Sequence, residues 1–204
     1  MKRKRARKNK PNIRHAVKAF VWLVVVVGMT SAALWEWHRG HRQIISHYEE
    51  PGWTPARPSD RWKCIVIHHS ASQFGGAVRI NAWHKARGWE GLGYHFVVGN
   101  GTDTADGQVE IGFRWAGQFQ GAHCKTDDQY YNNHGIGICL VGNFNNHPPS
   151  ENQMQSLARL VRFLCARFNI PSSAIYTHGG VTGKTECPGR DFDLAMLIKM
   201  IRTE

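Results

Sequence analysis

Cys64-Ile65-Val66-Ile67-His68-His69-Ser70 is an unbroken apolar run that stops at two imidazoles. Such a run reads as a buried strand whose end hands His68 and His69 to a surface rim. A second stretch, from Thr177 to Gly189, reads Thr-His-Gly-Gly-Val-Thr-Gly-Lys-Thr-Glu-Cys-Pro-Gly. It offers one imidazole, His178, and one thiol, Cys187, from either end of a glycine-rich loop long enough to fold back on itself. Two imidazoles, one thiolate and an open fourth position form the ligand set of a catalytic zinc, whereas four closed ligands suggest a structural one. Spacing alone does not carry this reading. The chain has 12 histidines, most histidines sit at a surface or in a hydrogen bond, and the sequence has no His-Glu-x-x-His helix.

The rest of the domain alternates strands and helices. Gly75-Gly76 leads into a helix from about Ala77 to Arg87, ended by Gly88. Tyr94 to Val98 reads as a strand, Asn100-Gly101 as a turn and Gln108 to Phe113 as a partner strand. Arg114 to His134 is polar and irregular, as an active-site loop would be, and Ile136 to Val141 is another buried strand. The longest helix has Ser150 as its cap, with Gln153 completing a capping box. Met154, Leu157, Val161, Leu164, Cys165 and Phe168 then form one apolar stripe, which is core. Pro171 closes that run, Ala174 to Thr177 reads as a short strand leading into His178, and Leu194, Leu197, Ile198 and Ile201 give a last amphipathic helix. This order predicts an α/β fold, a central mixed sheet flanked by helices.

Charge is unevenly distributed along the 204 residues. The net charge is +11, and residues 1–18 hold nine of the 26 basic side chains and none of the 15 acidic ones. A basic run alone suggests nucleic acid. The 17 uncharged, mostly apolar residues from Ala19 to Trp35 argue instead for a transmembrane segment at the short end of the usual length. Positive charge before it keeps residues 1–18 cytoplasmic and sends the remainder outward. The competing reading is a signal peptide cleaved near Thr30-Ser-Ala-Ala33, which would release a secreted domain. Residues 36–60, with Pro51, Pro55 and Pro58, lack apolar periodicity and read as a linker, leaving 61–204 as the catalytic domain. The expected place for that domain is outside the cytoplasm, on the periplasmic or wall side. Five cysteines permit disulfides there, but no pairing is singled out.

Six blocks of sequence resemble one family. They are Val66-Ile-His-His-Ser-Ala71; Trp83-His-Lys with Gly88-Trp89; Leu92-Gly-Tyr-His-Phe96; Gly121-Ala-His123; Gly135 to Phe144; and His178 with Cys187-Pro-Gly189. In this order they resemble the zinc N-acetylmuramoyl-L-alanine amidases, which include amidase-type phage lysozymes and peptidoglycan recognition proteins. The resemblance covers nearly all of the chain after about residue 60. It implies zinc held by His68, His178 and Cys187, and hydrolysis of the amide between N-acetylmuramic acid and L-alanine in peptidoglycan or its muropeptide fragments.

The resemblance also implies roles for individual residues. Tyr94 matches the family's oxyanion donor. The lysine-or-threonine position two residues before the last ligand is Thr185, with Lys184 adjacent, and the choice between them stays open. His123 falls in the block assigned to the substrate groove, and His69, Trp89 and Asn143 are candidates to line the same cleft. His84 and His95 read as structural. Cys139 stands where some members carry glutamate, so the chain is similar to the phage-type variant. The alternative function is a recognition module that binds muropeptide without cutting it, which loses ground because all three ligand positions are filled.

Overall fold

The computed structural model describes residues 29–36, 39 and 50–203. The chain divides into two units, residues 1–43 and 44–204. In the first, residues 29–36 are helical and exposed. Among the described residues no helix is long and apolar enough to cross a membrane. The segment expected to do so, 19–35, lies mostly outside the described residues, and the basic stretch 1–18 lies wholly outside them.

The second unit is built on five strands: β1 (Cys64–His69), β2 (Phe96–Val98), β3 (Val109–Ile111), β4 (Gly135–Leu140) and β5 (Ile175–Thr177). They lie in the order β3-β2-β4-β1-β5. β1 runs parallel to both its neighbours and β2 parallel to β4, while β2 and β3 pair antiparallel. The sheet is mixed, as expected. The helices are α1 (Ala77–Ala86), α2 (Phe113–Ala116), α3 (Tyr130–His134), α4 (Glu151–Phe168), α5 (His178–Thr182) and α6 (Leu194–Arg202).

Alternation along the strands divides the sheet into two faces. Ile65, Ile67, Phe96, Val98, Ile136, Ile138 and Leu140 point into the larger core with Leu157, Leu160, Val161 and Leu164 of α4 and Leu197 of α6. Val97 and Cys139 point the other way, into a smaller cluster with Val141, Leu92 and Ile80 of α1. His68 is aligned with Cys139, and Cys139 with Val97, so all three share this second face. His69, one residue on, belongs to the first. Period two thus sends the paired imidazoles to opposite sides of one sheet.

α4 begins where its sequence says. Ser150 Oγ accepts from Gln153 N–H at 3.0 Å, and Gln153 Oε1 accepts from Ser150 N–H at 3.2 Å. The same buried Gln153 donates through Nε2 to Val141 O at 2.8 Å, tying the helix start to the sheet edge. The helix ends earlier than Pro171 requires, because Asn169 turns left-handed at φ 53° and its N–H bonds back to Cys165 O. The region expected to be irregular, 114–134, carries a helical turn near each end, α2 and α3. The strand expected from Tyr94 starts at Phe96.

Two residues correct the reading of 36–60 as a spacer. Trp53 is 1% exposed, packs on Phe163 of α4 with ring centroids 5.5 Å apart, and receives at its carbonyl the indole N–H of Trp115 at 3.0 Å. Ser59 N–H donates to Gln118 Oε1 at 3.0 Å, and so does the indole of Trp62 at 2.8 Å. An isolated tryptophan in a proline-rich stretch makes no periodic pattern, yet it buries as much apolar area as any strand residue. Trp53→Ala should lower the unfolding free energy by about 3–5 kcal/mol, read by chemical denaturation. A loss below about 1 kcal/mol would show that this stretch is only laid on the surface.

Candidate metal centre

His68, the penultimate residue of β1, points to the sheet's second face, and the neighbouring β5 delivers His178 at the first turn of α5. The glycine-rich loop then returns to the same place. Gly179 N–H donates to Cys187 O at 2.7 Å. A Cβ at Gly179 would strike the carbonyl of Thr185, so the return is this tight only with glycine there. Thr177 Oγ1 caps α5 by accepting from Gly180 N–H at 3.0 Å, and Gly183 leaves the turn at φ 63°. Thr185 Oγ1 accepts from Cys187 N–H at 3.1 Å.

These turns bring three donors together. The ligand atoms of His68, His178 and Cys187 all lie within 4.8 Å of one another. His68 Nδ1 stands 3.8 Å from Cys187 Sγ. Two ligands of a tetrahedral zinc, with bonds of about 2.0 Å to nitrogen and about 2.3 Å to sulfur, would stand about 3.5 Å apart. The rings of His68 and His178 are 4.6 Å apart at their centroids. The donor set is therefore of the right chemistry and nearly the right size for zinc before any ion arrives.

Electrostatics favours the same occupant. Burial, and after it the neighbouring His123, His178 and His69, holds His68 well below the ordinary imidazole value. Burial lowers His178 as well. Both are neutral at pH 7, as ligands must be. Burial pushes the Cys187 thiol up to about 12, opposed by the hydrogen bond from His69 N–H to its sulfur, 3.4 Å long. A dication in this pocket would displace that thiol proton.

Beside the three donors lies a groove of about 830 Å³, lined by Trp89, His123, Lys125, Asp127, Thr182, Lys184 and Thr185 among others. Of the residues expected to meet substrate, Trp89, His123, Lys184 and Thr185 face it. His69 and Asn143 do not, a correction that follows from local geometry. His69 is buried on the α4 side of β1, accepts from Phe144 N–H at 3.2 Å and packs on the Phe144 ring. Asn143 uses its side chain to accept from Asn145 N–H at 3.3 Å in its own turn.

Tyr94 lies over His68, with ring centroids 5.1 Å apart. Burial raises its phenol well above the usual value. It is thus a donor at every working pH. His84 and His95 are structural, as expected. His84 Nδ1 accepts from Gly93 N–H at 3.0 Å, and His95 Nδ1 accepts from Gly137 N–H at 2.9 Å. All five cysteines are free.

Sequence reasoning missed Asn132. Its Oδ1 accepts from both His123 N–H and Cys124 N–H at 2.9 Å, and its carbonyl takes Gly121 N–H at 2.8 Å. It clamps the loop that carries His123. The only signal in the sequence was a pair of asparagines ahead of β4, which matches no motif.

With the geometry in place, comparison with known proteins becomes decisive. Residues 58–190 match the family described as N-acetylmuramoyl-L-alanine amidase. The chain belongs to that family, and it is an amidase. The endolysin of Enterobacteria phage T3 is 35% identical over 145 residues, 66% of this chain and 85% of that one. The N-acetylmuramoyl-L-alanine amidase of Sus scrofa is 31% identical over 153 residues, 74% of this chain and 22% of that protein. Among solved structures, the endolysin amidase LysCS of Clostridium intestinale superposes with a TM-score of 0.60 at 31% identity, covering 74% of this chain and 92% of that one. Peptidoglycan recognition protein-LE in complex with tracheal cytotoxin, a monomeric diaminopimelic acid-type peptidoglycan, gives a TM-score of 0.54 at 25% identity over 71% and 88%.

The thiol and the two neutral imidazoles fix the proton balance of metal uptake. At pH 7 only Cys187 has a proton to lose, so zinc binding should release about one proton per ion. The apparent affinity should rise about tenfold per pH unit across the neutral range. Calorimetry in buffers of different ionisation enthalpy reads the first, and competition with a chromophoric chelator reads the second. Release of no proton would mean that Cys187 is not a ligand.

Proposed function

We propose that this protein is a zinc-dependent N-acetylmuramoyl-L-alanine amidase that hydrolyses the amide between N-acetylmuramic acid and L-alanine in peptidoglycan. The observation that carries this reading is the convergence of the donor atoms of His68, His178 and Cys187 within 4.8 Å beside an open groove. When bound, zinc supplies an activated water at neutral pH and a Lewis acid for the scissile carbonyl. The residues of the chain do the rest. His68, His178 and Cys187 would hold the ion.

Tyr94, kept protonated by burial, donates its hydroxyl hydrogen to the oxygen on which charge develops. Thr185 and Lys184, at the groove wall, are the groups placed to pass a proton to the leaving nitrogen. The Thr185 oxygen already accepts from Cys187 N–H, so its own hydrogen remains to be given. Lys184 is exposed and free to swing. Trp89, 42% exposed at the groove, offers an apolar face to sugar or peptide.

The location we propose follows from composition. The basic residues 1–18 and the apolar segment 19–35 support a single-pass anchor, with the amidase domain, residues 61–204 together with the packed stretch from Trp53, outside the cytoplasm. That is where peptidoglycan lies. Cleavage after the apolar segment would give a secreted domain with the same chemistry.

Tyr94→Phe should lower kcat about 10²- to 10³-fold on soluble muropeptide while zinc content and KM stay close to those of the wild type. Cys187→Ser should lose both zinc and turnover. Mass analysis of the digest identifies the bond cut, which must separate the lactyl group of muramic acid from the alanine nitrogen. Binding of muropeptide without turnover by the zinc-loaded wild type would instead make this a recognition module.

A further inference from the structure

His123 was expected in the substrate groove, yet both nitrogens of its ring are already engaged. Nδ1 lies 3.1 Å from His68 Nε2, and Nε2 lies 3.2 Å from the carbonyl oxygen of Gly135 at the start of β4. A carbonyl can only accept, so the proton of His123 sits on Nε2. The opposite tautomer would set two lone pairs against each other at 3.2 Å in a buried site. His123 Nδ1 is then bare, and it can only accept from His68. That places the proton of His68 on Nε2 and the lone pair on Nδ1, the nitrogen 3.8 Å from Cys187 Sγ.

The ring is held for this purpose by its surroundings. His123 is 7% exposed and slots between Gly121 and Gly137, where a Cβ on either glycine would strike the imidazole. The backbone that carries it is clamped by Asn132 Oδ1. His95 fixes Gly137 from the far side through Gly137 N–H. A groove residue meant to read substrate would keep a polar atom free, and His123 keeps none.

We propose that His123 is a positioning residue which, through the chain Gly135 C=O, His123, His68, fixes the His68 tautomer and turns Nδ1 toward the metal. The metal half of this statement rests on the zinc reading above; the tautomer half does not. An acceptor at the Nδ1 position should be enough to preserve the effect. Asparagine supplies one, because its Oδ1 stands close to where Nδ1 was, whereas leucine fills the slot with no acceptor.

The test joins two readouts. Long-range nitrogen–proton correlation spectra of the metal-free wild-type protein should show His68 protonated at Nε2. His123→Asn should keep that tautomer, and His123→Leu should give a mixture. In chelator competition, His123→Leu should lose about 10- to 100-fold in zinc affinity, and His123→Asn should stay within about threefold of wild type. A wild-type spectrum with the proton on His68 Nδ1, or a leucine variant that binds zinc as tightly as wild type, would overturn the proposal. If His123→Leu does not fold, the wild-type spectrum and the asparagine variant decide it. Absence of zinc uptake by wild type would sink the metal reading while the spectrum still judged the tautomer.

Discussion

The hydrogen bond from Gly179 N–H to the carbonyl of Cys187 closes the loop on which the site depends. β5 fixes His178 by pairing with β1, but strand pairing does not reach Cys187, nine residues later. The closure does so, and it requires a residue without a side chain at Gly179, because the Thr185 carbonyl occupies the space a Cβ would take. His69 N–H then meets the sulfur from the opposite direction. Two separate pieces of backbone, one from the loop and one from β1, thus hold Cys187 in place.

The sheet supplies the other half of the geometry. Parallel pairing of β1 with β4 and β5 places the end of β1 mid-sheet, where both flanks are covered and the side chains are buried. A one-residue slip of β1 would bring His69 to the metal face and send His68 into the α4 core. Register here is a choice between two imidazoles, settled by Ile65 and Ile67, which are buried against α4 and α6 and will not exchange faces with a histidine.

Much of this was legible in sequence, for physical reasons. The buried strands, the capping box of α4 and the stripe beneath it are local patterns whose period survives without a partner. The three converging donors were legible because few residue types can bind zinc, and because the flanking blocks match a known family. What escaped was set by distance along the chain. Trp53 packs on Phe163, and His123 meets His68 across 55 residues, so neither pairing has a sequence period. His69 and Asn143 were misplaced for the converse reason. Sequence proximity to the site suggested the groove, while strand parity and a tight turn directed their side chains elsewhere.

The cysteines have a consequence of their own. Four of the five are buried and none is bridged, so no covalent cross-link contributes to the fold. Packing of the sheet against its helices, rather than a covalent staple, is what holds the domain together. Chemistry at sulfur matters most at Cys187, the one cysteine among the three donor side chains that converge at the site. Modification of that one sulfur would therefore register as a lost capacity to take up metal, not as a broken cross-link.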